Sequence, residues 1–154
     1  MTGDGDTDRA TTGTALAHQL RMFARKLKRR LRDQADTGDL TPSQTAVLLR
    51  LESHGAMTTS TLARAEGMRS QSMGAIVATL ESAGLVNGTP DPTDGRQTLI
   101  SLTDACRHLI TDSRAARQDW LSRMLESRLS AAEREQLAEA MPLLLRLVAD
   151  RDEP

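Results

Sequence analysis

Asp91-Pro92-Thr93-Asp94-Gly95-Arg96-Gln97-Thr98-Leu99-Ile100-Ser101-Leu102-Thr103 decides the fold of this chain. It opens on Pro, Asp and Gly, which turns select because they fix φ, bond their own backbone or accept a positive φ. Arg96 sits at the tip of that turn. A β-prone run follows, Thr98–Leu102, in which Ile100 and Leu102 alternate with polar Ser101, so one face is covered and the other wet. Thr103 can then cap the next helix. Upstream, Leu85 and Val86 supply the other strand, and Ser70 to Gly84 reads as one amphipathic helix with Ser70 as its cap. Its apolar face is Met73, Ile76, Val77 and Leu80, spaced i, i+3, i+4, i+7. A helix followed by a hairpin with a cation at its tip outlines a winged helix-turn-helix.

Helix signals surround this unit. Thr41-Pro42-Ser43-Gln44 starts a second helix: Thr41 caps, Pro42 suits the first helical position, and Gln44 completes a capping box. That helix buries Val47, Leu48 and Leu51 and stops near Gly55. A short third helix fits Thr59–Glu66, between Thr58 as cap and Gly67 as stop. Residues 1–13 carry almost no apolar side chains and read as a disordered tail. Residues 14–37 read as the first helix, where Leu16, Leu20, Phe23, Leu27 and Leu31 recur at helical spacing before Asp36-Thr37-Gly38-Asp39 closes it. Beyond Thr103, Ala105, Leu109, Ala116, Trp120 and Met124 form the stripe of a long fifth helix, with Asp104 where a negative charge suits the dipole. Ser130-Ala131-Ala132-Glu133 is a second capping box and opens a sixth helix to about Ala149. Pro142 inside it predicts a kink.

The expected fold is therefore mainly α with a small β-hairpin wing. A winged helix-turn-helix lobe, 40–103, lies between an N-terminal dimerisation helix, 14–37, and C-terminal dimerisation helices, 104–150. The flanking helices carry wider apolar stripes than so small a lobe covers, and amphipathic helices must bury that face. A two-fold homodimer with interlocked helices answers this economically; a monomeric bundle folded back on itself is the other solution.

Bulk composition narrows the function classes. With 38% apolar and 27% charged residues the chain is an ordinary soluble globular protein. No apolar run approaches the ~20 residues a membrane span needs, and the N-terminus has no basic start followed by an apolar stretch. A single cysteine, Cys106, excludes a disulfide framework and any multi-Cys zinc site. These features point to the cytoplasm. Phe23 and Trp120 are the only aromatic residues, so core packing rests on Leu, Ile, Val, Ala and the seven Met. No phosphate-cradling glycine loop, nucleophile motif or paired carboxylates stand out, which argues against an enzyme and against a cofactor. His18, His54 and His108 have no metal-ligand spacing with a carboxylate or thiol.

Net charge is only −1, but Arg21, Arg25, Lys26, Lys28, Arg29, Arg30 and Arg32 place seven cations within twelve residues with no acid among them. Such density can hold phosphates; it also suits a solvated helix face whose cations pair with acids elsewhere in the fold.

Three motifs now make a resemblance plain. Leu40-Thr41-Pro42-Ser43-Gln44 opens the second helix, and Leu80-Glu81-Ser82-Ala83-Gly84-Leu85-Val86 closes the fourth. The wing Asp91-Pro92-Thr93-Asp94-Gly95-Arg96 then runs into Ser101-Leu102-Thr103. In this order and spacing they resemble the MarR family of bacterial transcriptional regulators. The resemblance implies a homodimer that binds a pseudo-palindromic double-stranded DNA operator as repressor or activator, often released by a small aromatic ligand or by oxidation. It also implies that Arg96 reaches the minor groove or the backbone, steadied by Asp94.

The outward face of the fourth helix is Gln71, Gly74, Ala75, Ala78 and Thr79, with Ser72 at the edge and Arg69 and Ser70 at its start. The family commonly has basic residues at the places of Ala75, Thr79 and Gly88; here all three are uncharged. Small side chains allow close approach and contact with thymine methyls, and Gln71 can read adenine bidentately. Yet residues 41–103 hold four Arg against five acids, so affinity must lean on Arg69, Arg96 and the basic first helix. The alternative is an interaction or dimerisation module with weak or lost operator binding. For an effector, the family layout points to Phe23, Arg25, His54 and Trp120 as pocket-lining residues, though each also fits a core or surface role. Cys106 admits two readings: an oxidant-sensing thiol at a helix N-terminus, or a small buried hydrophobe.

Overall fold

The computed structural model describes residues 4–35 and 38–149, with side chains from residue 13 onward. The elements are α1 (Asp4–Arg32), α2 (Pro42–His54), β1 (Met57–Thr58), α3 (Thr59–Ala65), α4 (Ser70–Ser82), β2 (Val86–Pro90), β3 (Thr98–Leu102), α5 (Asp104–Arg128) and α6 (Ala131–Val148). Helices with one small sheet give the expected winged helix-turn-helix class.

Local sequence sets most of the helix boundaries. Thr41 Oγ1 accepts from the Gln44 N–H at 3.2 Å while Gln44 Oε1 accepts from the Thr41 N–H at 2.8 Å, so both halves of the capping box form. Ser130 and Glu133 do the same for α6. The end of α4 shows why glycine stands at position 84. Its φ is +72°, a left-handed conformation open to glycine at little steric cost. From there the Leu85 N–H reaches back to the Leu80 carbonyl and the Gly84 N–H to that of Glu81, the paired bonds that satisfy a helix's last acceptors. The chain is thereby turned toward β2.

Among the described residues, those up to Arg114 and beyond Ala35 form one compact unit, and the earlier residues with those from Ala115 form a second. The first unit holds the core. Val47, Leu48 and Leu51 from α2, Leu62 and Ala63 from α3, and Met73, Val77 and Leu80 from α4 meet Val86, Ile100 and Leu102 of the sheet and Cys106 of α5. Burying such a side chain stabilises by roughly 1.5–3 kcal/mol. The sheet is antiparallel in the order β1-β3-β2, with Met57 opposite Ile100 and Val86 opposite Leu102. Two ion pairs brace the unit: Arg50 Nε to Glu66 Oε1 at 2.7 Å, and Arg114 to Glu52 through two parallel bonds of 2.7 and 2.6 Å.

Several expectations need correction. The first helix starts at Asp4, not at residue 14, so residues 4–13 are helical rather than a disordered tail. Residues 36 and 37, expected to close that helix, lie outside the described residues. Arg69, not Ser70, is the N-cap of α4. The hairpin's first strand is Val86–Pro90 rather than Leu85-Val86, because β3 supplies partners as far as Pro90. Pro90 is tolerated on this edge strand, where a missing N–H breaks no interior ladder. β1 escaped the sequence reading, two residues being too few to show a period. In α5 the buried positions are Cys106 and Ser113, while Ala105 is exposed. Cys106 joins the core and Ile110 packs against it, so the lobe's compact unit runs to Arg114 rather than stopping at 103. Pro142, where a kink is expected, lies within α6, which continues to Val148.

Candidate nucleic-acid interface

α4 is oriented by what it buries. Met73 and Leu80 have no exposed surface and Val77 very little, which turns the opposite side of the helix outward. Ser70, Gln71, Ser72, Ala75, Ala78 and Thr79 are all exposed; Gly74 is half-buried. Thr79 donates its hydroxyl to the Ala75 carbonyl at 3.0 Å, so that hydrogen is spent within the helix. A Cβ added at Gly74 would meet nothing within 4 Å, so the chain itself does not require glycine there. No side chain caps the α4 N-terminus, and exposed first-turn amides at the positive end of a helix suit a phosphate.

The wing is built by its own carboxylates. Asp91 Oδ1 accepts from the Thr93 N–H at 2.9 Å and the Thr93 hydroxyl at 2.8 Å. Those bonds hold the Asp91 carboxyl below its ordinary value, the backbone bond being the larger cause. Asp94 Oδ1 accepts from the backbone N–H of Arg96 at 3.1 Å, and Oδ2 from Gln97 Nε2 at 3.3 Å. Asp94 therefore steadies Arg96 through its backbone and not through its guanidinium, which makes no ion pair among the described residues. Gly88 faces its neighbour strand closely: a Cβ there would come within 2.7 Å of Thr98 Cγ2, and that methyl would have to turn away.

Thr103 fixes the junction between the hairpin and α5. Its hydroxyl donates to the Gly84 carbonyl at 2.7 Å and accepts from the Cys106 N–H at 3.1 Å, so one side chain joins the end of α4 to the start of α5. Cys106 has no exposed surface, and burial pushes its thiol up despite the nearby Arg107. Oxidant sensing needs an accessible thiolate; this position is a small core hydrophobe instead.

The lobe's cations sort by partner. Arg50 is held by Glu66, whereas Arg64, Arg69 and Arg96 are exposed and form no ion pair among the described residues. Arg64 on α3 was not singled out from the sequence, where only its charge signalled it. The seven cations from Arg21 to Arg32 are likewise all exposed and form no ion pair among the described residues. The four effector-pocket candidates divide between the two units: His54 belongs to the lobe, while Phe23, Arg25 and Trp120 belong to the other. Phe23 is 60% exposed, Arg25 and His54 are exposed, and Trp120 is half-buried. No group of three His, Cys, Asp or Glu among the described residues could hold a metal ion.

Comparison with known proteins now bears on this arrangement. Residues 40–98 match the MarR family. The chain is 38% identical over 133 residues to an HTH-type transcriptional regulator of Mycobacterium tuberculosis, an alignment spanning 86% of this chain and 92% of that protein. It is 37% identical to a transcriptional regulator protein of Pseudomonas aeruginosa whose crystal structure superposes with a TM-score of 0.77, covering 91% of this chain and 98% of that one. The same fold occurs, at 23% identity and a TM-score of 0.70, in a variant of Staphylococcus aureus MepR bound to an oligodeoxyribonucleotide; 87% of this chain and 98% of that one are covered. With its hairpin wing behind an outward-facing α4, the chain belongs to the MarR family of DNA-binding, helix-turn-helix transcription regulators.

Proposed function

We propose that this protein acts as a homodimer on a pseudo-palindromic operator, with each α4 in a major groove, half-sites about one helical turn apart, and transcription repressed by occupation of the promoter. The observation that carries this reading is the outward face of α4, exposed at Gln71, Ala75, Ala78 and Thr79, together with exposed Arg69 and Arg96, which form no ion pair among the described residues. Gln71 is the side chain suited to adenine, and Ala75 and Ala78 to thymine methyls; Ser70, Ser72 and Arg69 are placed for the backbone. Gly74 supports close approach: in mid-helix it costs about 1 kcal/mol relative to Ala, and nothing within the chain requires it. The dimer is supported by Phe23 on α1 and Leu143, Leu145 and Leu147 on α6, each more than half exposed in the single chain. DNA as partner puts the site of action in the cytoplasm. An effector would be sought at Phe23, Arg25 and Trp120 of the second unit and, separately, at His54 of the lobe.

A second reading, an interaction module with weak operator binding, draws on the uncharged α4 and on the lobe's four Arg against five acids. Fluorescence anisotropy on the duplex upstream of the reading frame, beside a scrambled duplex at fixed moderate salt, decides between them. The proposal expects clear preference for the native duplex. Equal or negligible binding to both favours the second reading. Arg96→Ala should weaken binding roughly tenfold, the scale of ~1.5 kcal/mol for a lost charged contact, without altering the assembly; unchanged affinity would remove the wing from the interface.

A further inference from the structure

Five of the seven cations from Arg21 to Arg32 share one face of α1. At 100° per residue, Arg21, Arg25, Lys28, Arg29 and Arg32 fall within an arc of about 100°, and Leu16, Leu20, Phe23, Leu27 and Leu31 within a narrower arc on the opposite side. All five cations are exposed and none forms an ion pair among the described residues. No acid occurs between Asp8 and Asp33 to neutralise them. The five span about 16 Å along the axis, a length over which duplex DNA presents several phosphates on the facing side. The helix-turn-helix lobe itself has no positive excess over residues 41–103, although phosphate contacts dominate the affinity of DNA-binding proteins.

We infer that the Arg21-Arg25-Lys28-Arg29-Arg32 face of α1 is a second, sequence-independent binding surface for the phosphate backbone of duplex DNA. The inference rests on DNA as the partner and not on recognition of any particular operator. A membrane surface fits less well. A helix lying in a bilayer interface inserts its apolar side, and cations diametrically opposite that side face water rather than headgroups. On α1 the five-cation face is opposed to the apolar stripe, with only Lys26 and Arg30 beside it, so the stripe is free to pack against protein while the basic face stays outward.

The test uses the full chain. Arg21→Gln, Arg25→Gln, Lys28→Gln and Arg32→Gln are combined in one variant; Gln is a good helix former and the apolar stripe is untouched. A control removes the same charge at exposed Arg107, Arg123, Arg128 and Arg146. Affinity for native and scrambled duplexes is measured across a salt series. The expected result is a loss of about tenfold or more on both duplexes alike, with the log–log salt dependence shallower by at least about 2, while the control changes little. Unchanged affinity and slope in a wild type that binds DNA would overturn the inference, as would an equal loss in the control. Loss of binding to phosphatidylserine-containing vesicles with DNA affinity intact would assign the face to a membrane instead. If the wild type binds both duplexes equally and the α1 variant still loses affinity, the operator reading fails and the α1 surface stands.

Discussion

In the lobe, Leu62, Met73 and Leu80 have no exposed surface, and the Arg50–Glu66 and Arg114–Glu52 ion pairs join its elements. Among the described residues of the second unit no side chain is buried; Leu145 and Leu147 are 59% and 70% exposed, and the α1 cations stand without acidic partners. The lobe satisfies itself from within one chain. The second unit does not, since amphipathic helices owe most of their stability to packing of the apolar face. The difference is what the two proposals rest on: a second copy of the chain for the leucines, and a polyanion for the arginines and lysines.

Four experiments would sharpen or break that contrast. The largest effect is expected from Leu80→Ala, which should cost about 2–5 kcal/mol of unfolding free energy in urea, the transfer and cavity terms together. Leu147→Ala should cost far less when measured at a protein concentration low enough to keep the chain monomeric. Equal losses at both sites would show that the second unit has a core of its own. Next, Leu20→Asp puts a charge on the apolar stripe of α1 and should move the sedimentation coefficient from dimer to monomer; an unaltered dimer would place the interface elsewhere.

A smaller and more pointed effect is expected at Gly74. Gly74→Ala should stabilise the fold by roughly 0.5–1 kcal/mol, because the added Cβ meets nothing, and yet weaken operator binding by holding α4 off the groove. A variant that is stabilised and binds equally well would sink the close-approach argument. The smallest effect concerns the wing at low pH. The folded-state pKa of Asp91 is depressed by its bonds to Thr93, so its contribution is complete above the ordinary carboxylate value. That contribution is lost as pH falls through the lowered folded value. Protection of the Thr93 amide against hydrogen exchange, taken relative to the intrinsic rate at each pH, should therefore fall on acidification well before the lobe core opens, and Asp91→Asn should blunt that pH dependence. Exchange at Thr93 that follows only global unfolding would contradict this account.

Much of the architecture was legible because its signals are local. Thr41 with Gln44 and Ser130 with Glu133 close capping boxes within four residues, and the Gly84 and Leu85 amides end α4 by donating to the Glu81 and Leu80 carbonyls. The turn at Asp91–Arg96 carries its own acceptors. The outward face of α4 was legible for the same reason, since the spacing of Met73, Val77 and Leu80 fixes which side is buried. What escaped depended on partners far along the chain. β1 exists because β3 pairs with it, and β2 extends to Pro90 because Thr98 stands opposite. The buried seam of α5 follows Cys106 because Thr103 bonds Gly84, nineteen residues back.

The sequence by itself determined where the helices begin and stop in the lobe, where the wing turns, and how much charge each segment carries, since each follows from neighbours in the chain. Only the tertiary structure decided which charges remain available. Glu66 takes Arg50 and Arg114 takes Glu52, while Arg64, Arg69, Arg96 and the α1 cations are left facing outward. An ion pair between residues sixteen or sixty-two positions apart exists only once packing has brought the two side chains within reach.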